Sequence, residues 1–130
     1  MNEYTNTKYF GAYLRNVDSK GRVAIPKGLR KILQSRINEE GQEEITIYVE
    51  ASKGAIKVYD SKYLKKDEES LNKKLNYSKL HKAIIDNQGR ILLPRDSEIR
   101  KNLEGLFRVK VVASEDGEFL KIKKAKTARK

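Results

Sequence analysis

The sequence predicts a mainly β protein of the α+β class, in which two similar halves pack together about a pseudo-two-fold axis. A ten-residue pattern occurs twice, short β-rich segments flank a tight turn in each copy, and a helical pattern follows each turn unit. Because 130 residues are too few to bury two independent cores, we expect the two copies to share one core.

The repeated pattern is centred on an Asp-x-x-Gly-Arg turn. Residues 17–26 (VDSKGRVAIP) match residues 85–94 (IDNQGRILLP), with the same Asp, Gly, Arg and Pro in both copies. Asp at the first position and Gly at the fourth suit a type I turn, because the carboxylate accepts backbone N–H groups and Gly tolerates positive φ. The residues predicted to form the two turns are Asp18, Gly21, Asp86 and Gly89.

Short apolar segments on both sides of each turn predict paired strands. In the first copy the strands are predicted over Ala12–Val17 and Arg22–Ile25. In the second copy they are predicted over Ala83–Ile85 and Arg90–Leu93. The turns therefore lie at one end of each strand pair.

Helices are predicted after each strand pair. Pro26 suits the start of the first helix, and apolar residues repeat around and after it at helical spacing. These residues are Ile25, Leu29, Ile32, Leu33 and Ile37. The second helix is predicted to begin at Asp96 or Ser97, which are good N-caps, and to end at Gly105.

A third helix is predicted to connect the two halves over Ser61–Leu80, where leucines recur in a charged background. Each half also ends in a predicted hairpin, Ile45–Asp60 in the first and Val109–Ile122 in the second. The predicted organisation is an N-terminal tail over 1–9, repeats over 10–60 and 81–122, a connecting helix over 61–80, and a basic C-terminal tail over 123–130.

The charge of the chain favours a polyanionic partner. Its 29 Lys and Arg exceed its 18 Asp and Glu, for a net charge of +11, and a cationic protein gains affinity for nucleic acid by releasing counterions. Residues 8–33 are basic, whereas 39–50 hold five Glu and no basic residue. We expect the acidic segments 39–50 and 115–118 to point away from such a partner. The alternative is that these runs are ordinary solvated surface.

Other classes of function have little support in the sequence. The absence of Cys excludes disulfides and thiolate metal sites. The single histidine, His81, lies in a polar stretch without a nucleophile beside it. Neither a Gly-rich phosphate loop, a metal-ligand cluster, a signal peptide nor a membrane-spanning stretch is visible. We therefore predict no catalysis, cofactor, metal, small-molecule substrate or membrane partner, and a cytoplasmic location.

The duplicated turn, followed by apolar residues, Pro and a short helix, resembles the MraZ family within the AbrB/SpoVT superfamily. The matching residues are Asp18, Gly21, Arg22, Pro26, Asp86, Gly89, Arg90 and Pro94. The resemblance runs from about Phe10 to Ile122. It implies a swapped-hairpin AbrB-like barrel and a homo-oligomer that can close into a ring. It also implies binding to double-stranded DNA at short direct repeats of a promoter, in the nucleoid, with the turns at the DNA-binding face.

The candidate DNA contacts are polar side chains in or near the two turns. They are Arg15, Lys20, Arg22, Lys27, Asn87, Gln88 and Arg90. The arginine forks of the turns suit phosphate or the O6 and N7 edge of guanine, and an amide suits adenine. Further basic residues, Arg30 and Lys31 among them, suit phosphates. The alternatives are that each arginine only pairs with the Asp of its own turn, and that the amides only form the second turn.

Two other interpretations of the whole chain are an AbrB-like regulator outside the MraZ family and a protein-interaction module such as an antitoxin. An antitoxin typically carries one turn unit and a toxin-binding tail, whereas this chain has a second unit instead. The DNA-binding hypothesis requires the guanidinium groups of both turns to project from one surface. Burial of these groups, or their placement on opposite sides, would contradict it.

Overall fold

The computed structural model describes residues 8–37, 45–52, 54–94 and 107–125. In these ranges the chain forms eight strands, two α-helices and one short 3-10 helix over Tyr77–Lys79. The elements are β1 (Ala12–Val17), β2 (Arg22–Ala24), α1 (Lys27–Ile37), β3 (Ile45–Ser52), β4 (Ala55–Tyr59), α2 (Ser61–Glu68), β5 (His81–Ile85), β6 (Arg90–Leu92), β7 (Phe107–Ala113) and β8 (Leu120–Lys124). No helix within the described ranges is long and apolar enough to cross a bilayer.

The eight strands form one antiparallel sheet in the order β5-β3-β4-β8-β7-β1-β2-β6. The strands at its two ends, β5 and β6, are joined by the second turn, where the Asp86 N–H donates to the Arg90 carbonyl at 3.0 Å. The sheet therefore curls into a nearly closed barrel. β1 of the first half pairs with β7 of the second, and β3 pairs with β5. This exchange of strands confirms the predicted α+β, swapped-hairpin barrel.

Matched backbone hydrogen bonds relate the two halves of the barrel by a pseudo-two-fold axis. The Ile25 N–H donates to the Gly89 carbonyl at 2.8 Å, and the Leu93 N–H donates to the Gly21 carbonyl at 2.9 Å. These two bonds are equivalent, since Ile25 corresponds to Leu93 and Gly89 corresponds to Gly21. The axis passes between β2 and β6, which lie side by side in the sheet.

The core is aliphatic and fills the barrel with side chains from both halves. Alternate residues of the strands point inward, as a pleated strand requires. Residues of the core that are at most 1% exposed are Val23, Leu29, Ile47, Val49, Ile56, Ile91, Leu93, Val109, Val111 and Ile122. Helix α1 adds Leu29 and Leu33 to this cluster, so its apolar face is buried as its periodicity predicts.

The connecting helix is shorter than the sequence predicts, because α2 ends at Glu68 instead of near Leu80. The Asp67 carboxylate accepts the backbone N–H of Lys74 at 3.0 Å and the Tyr77 hydroxyl at 2.8 Å. These bonds fold the chain back on the helix end. The predicted apolar face is also not continuous, since Leu71 is fully exposed. The prediction of a helix over 61–80 was therefore wrong beyond residue 68.

The strand predictions agree more closely with the structure. β1 has the predicted bounds, and the predicted strands beside the turns and both hairpins are present within one or two residues. β8 continues to Lys124, so the segment predicted as a basic tail begins inside a strand. The predicted helix from Asp96 or Ser97 to Gly105 lies outside the described residues.

Candidate nucleic-acid interface

The first turn, between β1 and β2, is held by the carboxylate of Asp18. Its Oδ1 accepts the N–H groups of Lys20 and Arg22, both at 2.9 Å. The Gly21 N–H donates to the Asp18 carbonyl at 2.9 Å, and Gly21 has φ of +85°. Partial desolvation opposes ionisation of Asp18, but the hydrogen bonds from Arg22 and Lys20 outweigh it and lower the pKa of this carboxyl. The predicted turn geometry is confirmed at this site.

The second turn, between β5 and β6, repeats this arrangement around Asp86. Its Oδ1 accepts the N–H groups of Gln88 at 2.9 Å and Arg90 at 2.8 Å. Gly89 has φ of +80° and donates its N–H to the Asp86 carbonyl at 2.9 Å. The backbone N–H of Arg90 contributes most to lowering the pKa of Asp86. The two turns are therefore matched in geometry although their middle residues differ.

The arginine of each turn is oriented by the Asp of the same turn. Arg22 Nε donates to Asp18 Oδ2 at 2.7 Å, and Arg90 Nε donates to Asp86 Oδ2 at 3.0 Å. In the described part of the chain, no hydrogen bond uses the terminal nitrogens of either arginine. The pairing with Asp therefore uses the Nε of each arginine and leaves the terminal nitrogens available for hydrogen bonds.

The two turns lie side by side. Arg90 Nη1 is 3.9 Å from Asp18 Oδ2, so the second arginine reaches the carboxylate of the first turn. The side chains of Arg22 and Arg90 are 29% and 27% exposed. The guanidinium groups are therefore neither buried in the barrel nor on opposite sides of it. We call this surface, formed by Asp18, Arg22, Asp86 and Arg90, the turn face.

Helix α1 of the first half adds a third guanidinium group beside the second turn. A Cβ built on Gly89 would lie 2.6 Å from Arg30 Cζ, so a side chain at this position would displace the Arg30 guanidinium, and the positive φ itself favours glycine. Arg30 Nε donates to the Ile25 carbonyl at 3.0 Å, which fixes the side chain across the turn. The sequence suggested Arg30 as a phosphate contact, but only the structure places it at the turn of the opposite half.

The other candidate residues divide into two groups. Four of them are exposed and lie in the turns or, for Lys27, at the start of α1: Lys20, Lys27, Asn87 and Gln88. Arg15 lies within β1, with its Nη1 donating to the Leu14 carbonyl at 2.7 Å and its guanidinium 5.8 Å from the Tyr13 ring centroid. These contacts of Arg15 are with β1 itself and not with the turns.

The acidic segment 39–50 lies partly outside the described residues, and its orientation stays a prediction. In the segment 115–118, Glu118 forms ion pairs within the chain: its carboxylate lies 3.3 Å from Arg36 Nη2 and 3.6 Å from Lys8 Nζ. These contacts join the last hairpin to α1 and to the N-terminal segment.

A buried ion pair between α1 and the start of α2 was not predicted. Arg36 Nε lies 2.6 Å from Asp60 Oδ2, and the two side chains are 2% and 0% exposed. Tyr9 donates its hydroxyl to the same oxygen at 2.7 Å, and its burial beside Asp60 raises the pKa of this hydroxyl. The available signal was the position of Arg36, three residues after Leu33 on the apolar side of the helix.

Comparison with known proteins supports the resemblance carried by the turns. No family model matches the sequence. A curated relative, Transcriptional regulator MraZ of Chlorobium phaeobacteroides (strain BS1), is 27% identical over 100 residues, covering 68% of this chain and 67% of the relative. This similarity confirms the predicted resemblance to the MraZ family.

Proposed function

We propose that the protein is a sequence-specific, DNA-binding transcriptional regulator of the MraZ type that binds short direct repeats at a promoter. The observation that carries this proposal is the turn face, where Arg22 and Arg90 lie side by side and partly exposed. The relative named as a transcriptional regulator supports it independently.

The turn face suits a duplex because its arginines are already oriented. A guanidinium fork can donate two parallel hydrogen bonds to the O6 and N7 atoms of guanine or to a phosphate. Asp18 and Asp86 hold each Nε, so fewer rotamers are lost when DNA binds. Asn87 and Gln88 are exposed in the second turn, and their amides suit adenine, the base that such side chains recognise.

Basic side chains around the turn face contact phosphates and fix the register of the protein on the duplex. Lys20 and Lys27 are exposed beside the first turn and at the start of α1, and Arg30 is held beside the second turn. Arg15, within β1, is a further proposed phosphate contact. Such contacts strengthen binding without reading sequence.

The control of transcription follows from several weak contacts acting together. One chain presents one turn face, and a ring of identical chains presents several to a series of repeats, which raises the effective concentration of each contact. Occupied repeats then control access to the promoter in the nucleoid. With a net charge of +11, the protein is expected to lose affinity as salt rises, with a logarithmic slope near −0.9 for each phosphate neutralised.

The test is the double variant Arg22→Ala and Arg90→Ala, titrated with the duplex upstream of the protein's own coding sequence across a salt series. Each bidentate contact to a base contributes about 1–3 kcal/mol, so we expect specific binding to be lost. The thermal midpoint should change little, because exposed ion pairs contribute about 0–1 kcal/mol. The matched control removes two exposed charges from α2, Lys65→Ala with Lys66→Ala.

A second variant separates charge from hydrogen-bond geometry. Arg22→Lys with Arg90→Lys keeps both charges but loses the planar forks, so the salt slope should persist while discrimination between duplexes falls. A folded alanine double variant that binds the specific duplex with wild-type affinity would remove the turn face from the model. Recovery of a stoichiometric protein partner without DNA binding would favour the antitoxin-like alternative.

A further inference from the structure

The turn face has an apolar centre between its two arginines. Across β2 and β6, Arg22 pairs with Leu92 and Ala24 pairs with Arg90. The middle residue of each of these strands is almost completely buried, so all four paired side chains lie on the outer face of the sheet. The outer face therefore presents a leucine and an alanine between two guanidinium groups.

Leu92 is the prominent member of this centre. Its exposed fraction is 52%, and a directly cross-strand pair brings two Cβ atoms to about 4.5–5.5 Å of each other. When Arg22 binds the edge of one base, the Leu92 side chain beside it is therefore close enough to contact the neighbouring base. A single exposed leucine is ordinary on a protein surface. Leu92 differs because it lies between two arginines, so DNA bound by these arginines would also contact the leucine.

Thymine is the base with a chemical feature that Leu92 can recognise. In the major groove it presents a C5-methyl group, and apolar side chains discriminate thymine through that methyl. The other three bases have no methyl group at this edge. A leucine beside an arginine thus reads a thymine adjacent to the base that the arginine contacts.

We propose that Leu92 is a specificity-determining residue that packs against the methyl group of one thymine in each bound repeat. This inference rests on the proposed DNA-binding function and deepens it. The pseudo-two-fold equivalent of Leu92 is Ala24, whose side chain has three fewer carbon atoms and is shorter by two bonds. The two halves of the turn face therefore read unlike base pairs, and the methyl requirement lies on the Leu92 side only.

The experiment measures the methyl group directly. The probe is the duplex bound most tightly from a random-sequence library, trimmed to its shortest binding fragment, with each thymine replaced in turn by deoxyuridine. One position should weaken binding about fourfold per contact, the ratio that corresponds to burial of one methyl group. In the Leu92→Ala variant the same replacement should have no effect, whereas Leu92→Met should retain part of the effect.

Two controls distinguish recognition from a change in folding. Leu71→Ala removes a fully exposed leucine from the loop after α2, and its uracil sensitivity should equal that of the wild type. Ala24→Leu should create a second sensitive thymine at the symmetry-related position. A structural role of Leu92 would lower the thermal midpoint but would not change the response to a single methyl group.

The outcomes separate this inference from the proposed function. If the wild type is insensitive to every uracil replacement, or Leu92→Ala is as sensitive as the wild type, the thymine contact is overturned while the arginine contacts stand. If the library selects no specific duplex, or removal of Arg22 and Arg90 leaves binding unchanged, the proposed function fails and the inference fails with it.

Discussion

The barrel contains arginine–aspartate pairs of almost the same length in opposite environments. Arg36 Nε and Asp60 Oδ2 are 2.6 Å apart, with side chains 2% and 0% exposed. Arg22 Nε and Asp18 Oδ2 are 2.7 Å apart, with side chains 29% and 35% exposed. Because water screens the second pair, it contributes little to stability and its arginine remains accessible. The distance between two charges therefore does not indicate their role, whereas their surroundings do.

The buried pair is surrounded by partners from the chain itself. Arg36 Nη2 donates to the Glu118 backbone carbonyl at 3.1 Å, and its guanidinium lies 5.0 Å from the Tyr9 ring centroid. Asp60 Oδ1 accepts the Tyr63 N–H at 2.8 Å as the N-cap of α2. These contacts join α1, α2, the last hairpin and the N-terminal segment. No comparable set of partners surrounds the turn arginines within the described residues.

The largest expected effect is on the buried pair. Arg36→Ala leaves the Asp60 carboxylate without its cation, and breaking a buried pair costs about 3–5 kcal/mol. Urea unfolding should show this as a lower unfolding free energy. The matched control is Lys8→Ala, which removes a partner of Glu118 that is 55% exposed and should cost at most about 1 kcal/mol. Equal effects of the two substitutions would contradict the contrast between buried and exposed pairs.

A smaller effect is expected for alanine at Gly89 of the second turn, where comparison with alanine at Gly54 distinguishes a loss of stability from a loss of DNA binding. Gly89 and Gly54 have φ of +80° and +78°, so alanine at either position should cost about 1–2 kcal/mol of backbone strain. The new Cβ would meet Arg30 at position 89, but nothing within 4 Å at position 54. Arg30 has a flexible side chain, so it should move aside instead of adding strain. The thermal midpoints of Gly89→Ala and Gly54→Ala should thus fall equally. Only Gly89→Ala should bind DNA more weakly in a titration, because it displaces Arg30.

The smallest expected effect is the acid response of the turns. The pKa of Asp18 is lowered by hydrogen bonds that outweigh desolvation, and that of Asp86 is lowered chiefly by the Arg90 N–H. A lowered folded-state pKa stabilises the protein above the ordinary carboxyl value of 3.8, and this stabilisation is lost as pH falls through the folded-state pKa. Urea midpoints should therefore decline below about pH 4.

The matched variants for this prediction are Asp18→Asn and Asp86→Asn together. They remove both titrating groups but keep an oxygen that can accept the N–H bonds of the turns. Their urea midpoints should depend less on pH over the same acid range. An unchanged acid slope would show that other carboxyl groups cause the decline.

Elements that depend on neighbouring residues were predicted well. The bounds of β1, the start of α1 after Pro26 and the geometry of both turns agree with the structure. Each depends on residues a few positions apart, such as Asp18 and Gly21. The end of α2 was not predicted, because it depends on Asp67 bonding a backbone that folds back several residues later.

By itself, the sequence determined the duplicated turns, the basic character of the chain and the chemistry of the arginines that the turns present. The tertiary structure alone decided that β2 and β6 lie side by side, and hence that Arg90 approaches Asp18, Arg30 covers Gly89 and Leu92 faces outward. It also decided that Arg36 and Asp60 are buried together. The physical reason is range: turn and strand preferences act between neighbours in the chain, whereas these contacts depend on the register of strands that are far apart in sequence.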